Sequence, residues 1–354
     1  MSRSQSQSLQ NYISPLSHDN SMGLVRYILA LGVMIAHFNF IFDKNIPWAI
    51  SSYDCVGGFF ALSGFVLVSS LLKGISWKKF LVKRAWRILP SYFFIVIFFA
   101  IALSAVSALG AGEYFASSGF WAYLGANLSF LNFLHPTLPG VFQGGFEAVN
   151  GSLWTMKIEW QLYISAPIVV WLCSRYKIGF IKCLIAIIIL STLYRVGFAM
   201  LYDSSGSQIY EILGRQLFGQ LVFFYAGILL YCKLPFVREN LKGLTVGMLA
   251  AYILFTFFIP SSFYYFYLET LVVSGLVVVL SLLPYNISRY IDGGHNVSYE
   301  IYLAHFPVIQ LVNLLNQQHP LGTSACFALV AAGTVLMAAL TYSTVGRLYK
   351  HVRI

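Results

Sequence analysis

Ten stretches of mostly apolar residues punctuate the chain, at 24–42, 56–72, 88–109, 152–173, 178–201, 211–230, 243–259, 264–284, 296–316 and 320–343. Each is close to the roughly 20 residues that an α-helix needs to cross a bilayer. An eleventh stretch, 119–134, is apolar but short. Its Asn127 and Asn132 are awkward in lipid, so it predicts a re-entrant or interfacial piece. The pattern predicts an all-α integral membrane protein, a bundle of about ten transmembrane helices. The longest outer connection, 135–151, is rich in Gly and Pro. The first twenty residues are polar and rich in Ser and Gln, without the apolar core of a cleaved signal peptide. They predict a disordered cytoplasmic tail over 1–20, followed by a single transmembrane domain over 21–354. No internal repeat is visible, and no pair of broken helices of the kind that builds transporters.

Composition agrees. Of the 354 residues, 58% are hydrophobic and only 10% charged, whereas ordinary globular domains carry roughly a quarter charged residues. The net charge of +10 would suggest nucleic acid in a soluble protein. Its placement argues otherwise. With the N-terminus inside, 18 of the 22 Lys and Arg residues fall on the inner side, and only Lys44, Lys157, Arg195 and Arg215 fall outside that set. The positive-inside rule then predicts a multi-pass protein of a bacterial-type inner membrane with both termini cytoplasmic. Asp43, Asp54, Glu113, Glu147 and Asp203 are assigned to outer loops. The five cysteines are scattered, with no metal-ligand spacing and no disulfide framework.

Ionisable groups inside a membrane are costly, so each is a functional hypothesis. The first span carries Arg26 and His37 in RYILALGVMIAH. Eleven positions return them to within about 20° of one helical face, roughly 16 Å apart. A snorkelling Arg and a packed His are the bland alternative. The segment WKKFLVKRAWRILP, 77–90, reads as a basic loop in which Arg84 and Arg87 are i, i+3 neighbours and Pro90 starts the next span. Lys78, Lys79 and Lys83 add charge there. This cluster can anchor anionic lipid or clamp phosphate with its Arg forks. The fourth span opens NGSLWTMKIEWQLYISAP. It places Glu159 about two turns in, with Tyr163 four residues further on. The ninth span, VSYEIYLAHFPVIQLV, puts Ser298, Tyr302 and His305 on one face. In the second span, Gly57, Gly58 and Ser63-Gly64 of VGGFFALSGFVL allow close helix packing.

Together these segments resemble the acyltransferase-3 family of membrane acyltransferases. The resemblance rests on Arg26 and His37 at their spacing, GGFFALSGF at 57–65 and FLVKRAWRILPSY at 80–92. SLWTMKIEWQLYISAP at 152–167 and SYEIYLAHFPV at 298–308 complete it. The five occur in the family's order and cover nearly the whole chain. Met156-Lys157-Ile158 departs from the small or aliphatic residues more usual before the Glu, which touches substrate choice. The resemblance implies O-acylation, commonly O-acetylation, of a hydroxyl on a cell-envelope or exported carbohydrate. It implies acetyl-CoA or another acyl-CoA as donor, used from the cytoplasmic side, and no metal.

Taken with the residues, it assigns the donor's phosphates to Arg84 and Arg87 with Lys83, and makes Arg26 a catalytic residue with His37 and Glu159, one that lines the donor entry or polarises the donor. His37 is the expected general base, since an imidazole's unperturbed pKa of about 6.5 suits proton transfer near neutrality. Glu159 is expected to orient it and stabilise its charge. Trp154, Lys157, Tyr302 and His305 are the expected contacts for a glycan or lipid-linked glycan acceptor. The other expected partners are membrane lipids, with no role for nucleic acid. The competing class is a transporter or flippase of a glycan or lipid-linked precursor, which ten helices and a polar interior also fit.

Overall fold

The computed structural model describes residues 12–17, 19–46, 50–260, 268–287, 290 and 295–348. Most of the expected N-terminal tail, the first four residues of the 264–284 stretch, and Arg3, Arg289, Lys350 and Arg353 of the basic set lie outside them. Among the described residues the regular structure is entirely helical. The helices are α1 (Met22–Phe42), α2 (Ser52–Leu72), α3 (Trp77–Ala102), α4 (Ala111–Ala116) and α5 (Ser118–Leu128). Then come α6 (Trp154–Tyr176), α7 (Phe180–Ser205), α8 (Gln208–Gly214), α9 (Leu217–Cys232) and α10 (Leu234–Glu239). The last are α11 (Leu241–Phe258), α12 (Glu269–Ser281), α13 (Ser298–Gln318) and α14 (Thr323–Thr341).

Seven segments among the described residues are long and apolar enough to cross a membrane: α1, α2, α3 through Val106, α7, Gln208–Cys232, α11, and α14 through Gly346. Ten were expected. Two of the remaining three, α6 and α13, are full-length helices of 23 and 21 residues. Their polarity sets them apart: α6 carries Lys157, Glu159 and Arg175, and α13 carries Glu300, His305, Gln310 and two Asn. The third, α12, spans 13 described residues. The short stretch at 119–134 is the 11-residue helix α5 followed by turns. Asn127 is buried there because its amide donates to the carbonyls of Tyr123 and His135.

Two local expectations need correction. The basic segment 77–87 is no loop: it forms the first turns of α3, and Pro90 lies inside that helix. A helix within or beside a membrane can hold an internal proline because neighbouring groups re-satisfy the freed carbonyl. Asp54, assigned to an outer loop, is in the first turn of α2 and 4% exposed.

The chain divides into two compact units, the first comprising Met1–Leu29, Tyr53–Leu81 and Ile158–Gly294, the second Ala30–Ser52, Val82–Lys157 and His295–Ile354.

In the first unit α2 and α9 approach to backbone contact. A Cβ on Gly64 would run into the carbonyl of Phe224, and one on Gly227 into the carbonyl of Ala61. Small residues at such seams let helices pack without side chains between them. Phe223, Phe224 and Tyr225 fill the surrounding core. At the other extreme, α11 has no buried residue, and Phe257 and Phe258 are among its exposed apolar side chains. That surface suits lipid, because apolar side chains need no protein cover where the solvent is hydrocarbon.

In the second unit the interior is built around α13, whose residues 300–310 are all buried. The loop before α6 is tied to it. The Gln310 amide donates to the carbonyls of Phe146 and Ala148, and the Asn150 amide to that of Leu303. Gly151 sits against the ring of Phe306, where a Cβ would come within 2.8 Å.

Candidate active site

His37 and His305 meet in the second unit. Nδ1 of His37 lies 2.8 Å from Nε2 of His305, and the two rings stack with centroids 5.1 Å apart. Nδ1 of His305 lies 2.7 Å from the carbonyl oxygen of Tyr302. A carbonyl can only accept, so the His305 Nδ1 carries the hydrogen. A neutral His305 then presents a lone pair at Nε2, and His37 must donate to it from Nδ1. The remaining nitrogen of His37, Nε2, is left with its lone pair. The tautomers of both rings thus follow from one backbone carbonyl. His305 is fully buried while His37 is half-buried, so His37 is the member of the pair that can meet a substrate. Phe306 packs edge-on against His37 at 5.0 Å and Phe146 packs against Phe306. They form an apolar wall beside the imidazole.

A buried polar cluster adjoins this pair in the chain. The Thr155 and Tyr302 hydroxyls are 2.6 Å apart, and the Tyr302 hydroxyl also lies 3.2 Å from the Ser152 carbonyl. Asn150 Oδ1 accepts from the Ser152 hydroxyl at 2.6 Å. Serine, threonine and asparagine at the start of α6 therefore lock that helix end to α13. Of the expected acceptor contacts, Tyr302 takes part in this lock and His305 bonds to His37. Trp154 is half-buried in the first turn of α6, and the Lys157 ammonium lies 4.9 Å from the centroid of the Phe133 ring.

On α3, Lys83 is exposed and Arg84 and Arg87 are half-buried. The guanidinium of Arg87 lies over the Tyr299 ring at 5.5 Å and 3.8 Å from Oε1 of Glu300. Ser91, one turn further along α3, donates to the same oxygen at 2.9 Å.

Arg26 and Glu159 fall in the first unit. Arg26 is half-buried on α1, and Glu159 Oε1 accepts from the Tyr163 hydroxyl at 2.5 Å. His37 is in hydrogen-bond contact with His305, a residue read from the sequence as an acceptor contact. The i, i+4 spacing of Glu159 and Tyr163 did anticipate their bond.

The first unit holds a second cluster that sequence reading missed. Arg195 on α7 pairs with Glu269 on α12 at 2.6 Å, donates to the Gly219 carbonyl at 3.2 Å and lies over the Phe223 ring. The Tyr252 hydroxyl donates to Asp54 at 3.0 Å. Intramembrane charge was the signal available for Arg195 and Glu269, as it was for Glu300. Among the described residues no group of His, Cys, Asp and Glu has the arrangement of a metal site.

Helices of spanning length mark a multi-pass membrane protein, and its second unit holds a hydrogen-bonded histidine pair. The chain belongs to the acyltransferase-3 family: the family profile, described as an acyltransferase domain, matches residues 19–343. It is similar to nodulation protein 10 of Rhizobium leguminosarum bv. viciae, 27% identical over 45% of this chain and 46% of that one. It is similar to regulator of hypoxia-inducible factor 1 of Caenorhabditis elegans, 25% identical over 67% of this chain and 48% of that one. A Staphylococcus aureus protein, named provisionally as an O-acetyltransferase, is 26% identical over 44% of this chain and 26% of its own length. The matches thus span about half or less of these relatives. No solved structure matches the chain significantly.

Proposed function

We propose that this protein is a membrane O-acyltransferase that moves an acyl group, acetyl in the simplest case, from acyl-CoA to a hydroxyl of a cell-surface or exported carbohydrate. It acts as one transmembrane acyltransferase domain over 21–354, in an inner membrane, with both termini cytoplasmic. The acceptor is a glycan or a lipid-linked glycan. Family membership favours this enzyme over a transporter. The supporting observation is the hydrogen-bonded chain from the Tyr302 carbonyl through His305 to His37.

In this reading His37 Nε2 removes the proton from the acceptor hydroxyl. The acceptor oxygen attacks the thioester carbonyl, forming the C–O bond of the ester. The C–S bond then breaks, and the coenzyme A thiolate takes the proton from His37. No net proton is gained or lost. His305 shares the positive charge that His37 carries between the two steps, and its bond to a backbone carbonyl holds both rings in place. General-base catalysis of this kind contributes about 10²–10⁴-fold. Arg84 and Arg87 bind the donor's phosphates with Lys83 at the rim, since Arg forks match phosphate oxygens. Arg26 lines the donor entry, Glu159 supplies balancing negative charge, and Trp154 and Lys157 contact the acceptor.

Detergent-purified protein incubated with labelled acetyl-CoA tests the reading. Thiol should be released in the presence of acceptor glycan, or slowly to water in its absence. Label that stays on coenzyme A with both acceptor and water would overturn it.

A further inference from the structure

Three phenylalanine rings of the second unit run from its surface to His37. Phe306 packs edge-on against His37 with centroids 5.0 Å apart, Phe146 lies 5.6 Å from Phe306, and Phe40 lies 5.3 Å from Phe146. Phe40 is also three residues past His37 on α1, so the two share a helical face about 4.5 Å apart along the axis. Exposure rises along the run: Phe306 is 2% exposed, Phe146 44% and Phe40 62%. An unbroken series of aromatic contacts thus leads from an open surface to the half-buried imidazole.

The fold fixes the middle ring of this series. Phe146 stands in a loop, yet its carbonyl and that of Ala148 accept from the Gln310 amide. Gln310 is buried on α13, five residues past His305, so the helix that supplies the partner of His37 also anchors the loop. Gly151 makes the room: a Cβ there would come within 2.8 Å of the Phe306 ring and 3.3 Å of the Phe146 ring. A ring ordered in advance loses less freedom when a ligand covers it. The loop's other side chains indicate which ligand. Gln143 and Glu147, both exposed, stand three residues before Phe146 and one after it. An amide and a carboxylate beside aromatic rings suit a molecule with an apolar C–H face and a rim of hydroxyls, which is the surface of a pyranose. A hydrocarbon chain seated there would strip water from the carboxylate and give it no hydrogen bond in return.

We infer that Phe40 and Phe146 form the acceptor subsite, on which the C–H face of a pyranose ring stacks while one of its hydroxyls reaches Nε2 of His37. This inference rests on the acyltransferase reading given above, with His37 as its base. The experiment uses purified full-length protein, acetyl-CoA and a panel of methyl pyranosides, with hexanol as a hydroxyl that lacks a sugar ring. The wild type should acetylate at least one pyranoside faster than hexanol. With that pyranoside, Phe146→Ala and Phe40→Ala should each raise the acceptor KM about tenfold, the scale of losing one aromatic anchor from a binding site. The acceptor KM should rise more than the KM for acetyl-CoA. Phe146→Tyr, which keeps the ring face, should stay near the wild type, whereas Phe146→Leu, which keeps apolar bulk without a planar face, should resemble Phe146→Ala. Should Phe146→Ala fail to fold, Phe40→Ala, at the exposed end of the run, carries the same test. A Phe146→Leu variant equal to the wild type, or hexanol serving as well as every pyranoside, overturns the inference in favour of an apolar chain. An unchanged acceptor KM in the folded alanine variants overturns it too, as does a wild type that releases thiol from acetyl-CoA but acetylates no pyranoside. Wild-type protein that releases no thiol overturns the acyltransferase reading and this inference together.

Discussion

The two units bury charged and polar groups in opposite ways. In the first, Arg195, Glu269, the Gly219 carbonyl and the Phe223 ring enclose one another, with Arg195 and Glu269 in direct contact at 2.6 Å. The cation's attraction is spent within the fold. In the second, two imidazoles lie 2.8 Å apart, and the Arg87–Glu300 ion pair is held at 3.8 Å. Two stacked imidazoles joined by one hydrogen bond cannot both be charged, because one nitrogen must offer a lone pair. The first arrangement suits holding helices together. The second puts two imidazoles in hydrogen-bond contact and leaves its cation further from the carboxylate.

This contrast is sharpest at His37. His37→Ala should lower acetyl-CoA turnover by about 10²–10⁴-fold while the melting temperature in detergent stays close to that of the unaltered protein. A variant that keeps its activity would reduce the histidine pair to packing. Arg195→Ala should do the reverse. Stranding Glu269 in the interior should cost about 3–5 kcal/mol of stability, read as a lowered unfolding temperature, with the surviving folded protein still releasing thiol. If Arg195→Ala proves silent in the melt, the closed cluster is not what holds the first unit.

His305→Asn tests whether orientation alone matters. It keeps a polar side chain but breaks the bridge between Tyr302 and His37, and should lower turnover by about 10²-fold, the scale of misplacing a catalytic group by an ångström. A loss confined to KM would point back to an acceptor contact. Replacing both Arg84 and Arg87 by Ala should raise the dissociation constant for coenzyme A by well over about tenfold, each contact contributing about 1.5–3 kcal/mol. Unchanged affinity would leave the cluster a lipid anchor. The smallest effect concerns Glu159→Gln, which keeps the acceptor for Tyr163 and removes a charge. It should reduce turnover modestly in the wild type and hardly at all beside His37→Ala, since residues acting as one unit are not additive. Additive losses would separate Glu159 from the histidine chemistry.

Much of this protein is legible in one dimension. Hydropathy alone determines that the chain is helical and membrane-embedded, because 20 apolar residues in a row have no stable alternative in water. Local periodicity determines that Glu159 and Tyr163 pair, and that Arg84 and Arg87 share a face, because neighbours at i+3 and i+4 meet on any helix. The spacing of glycines marked the α2 surface that packs closely, though not that α9 fills it. The order of motifs led to the family.

Tertiary structure decided the rest. His37 and His305 are 268 residues apart, and no periodicity links them. Their contact depends on how α1 and α13 pack. The same holds for Arg87 and Glu300, and for Arg195 and Glu269. A sequence shows that an ionisable residue is buried at a cost. Only the fold shows how near a partner comes, 2.6 Å between Arg195 and Glu269 and 3.8 Å between Arg87 and Glu300. That difference is about an ångström of separation, which depends on packing geometry and leaves no mark in the spacing of residues along the chain.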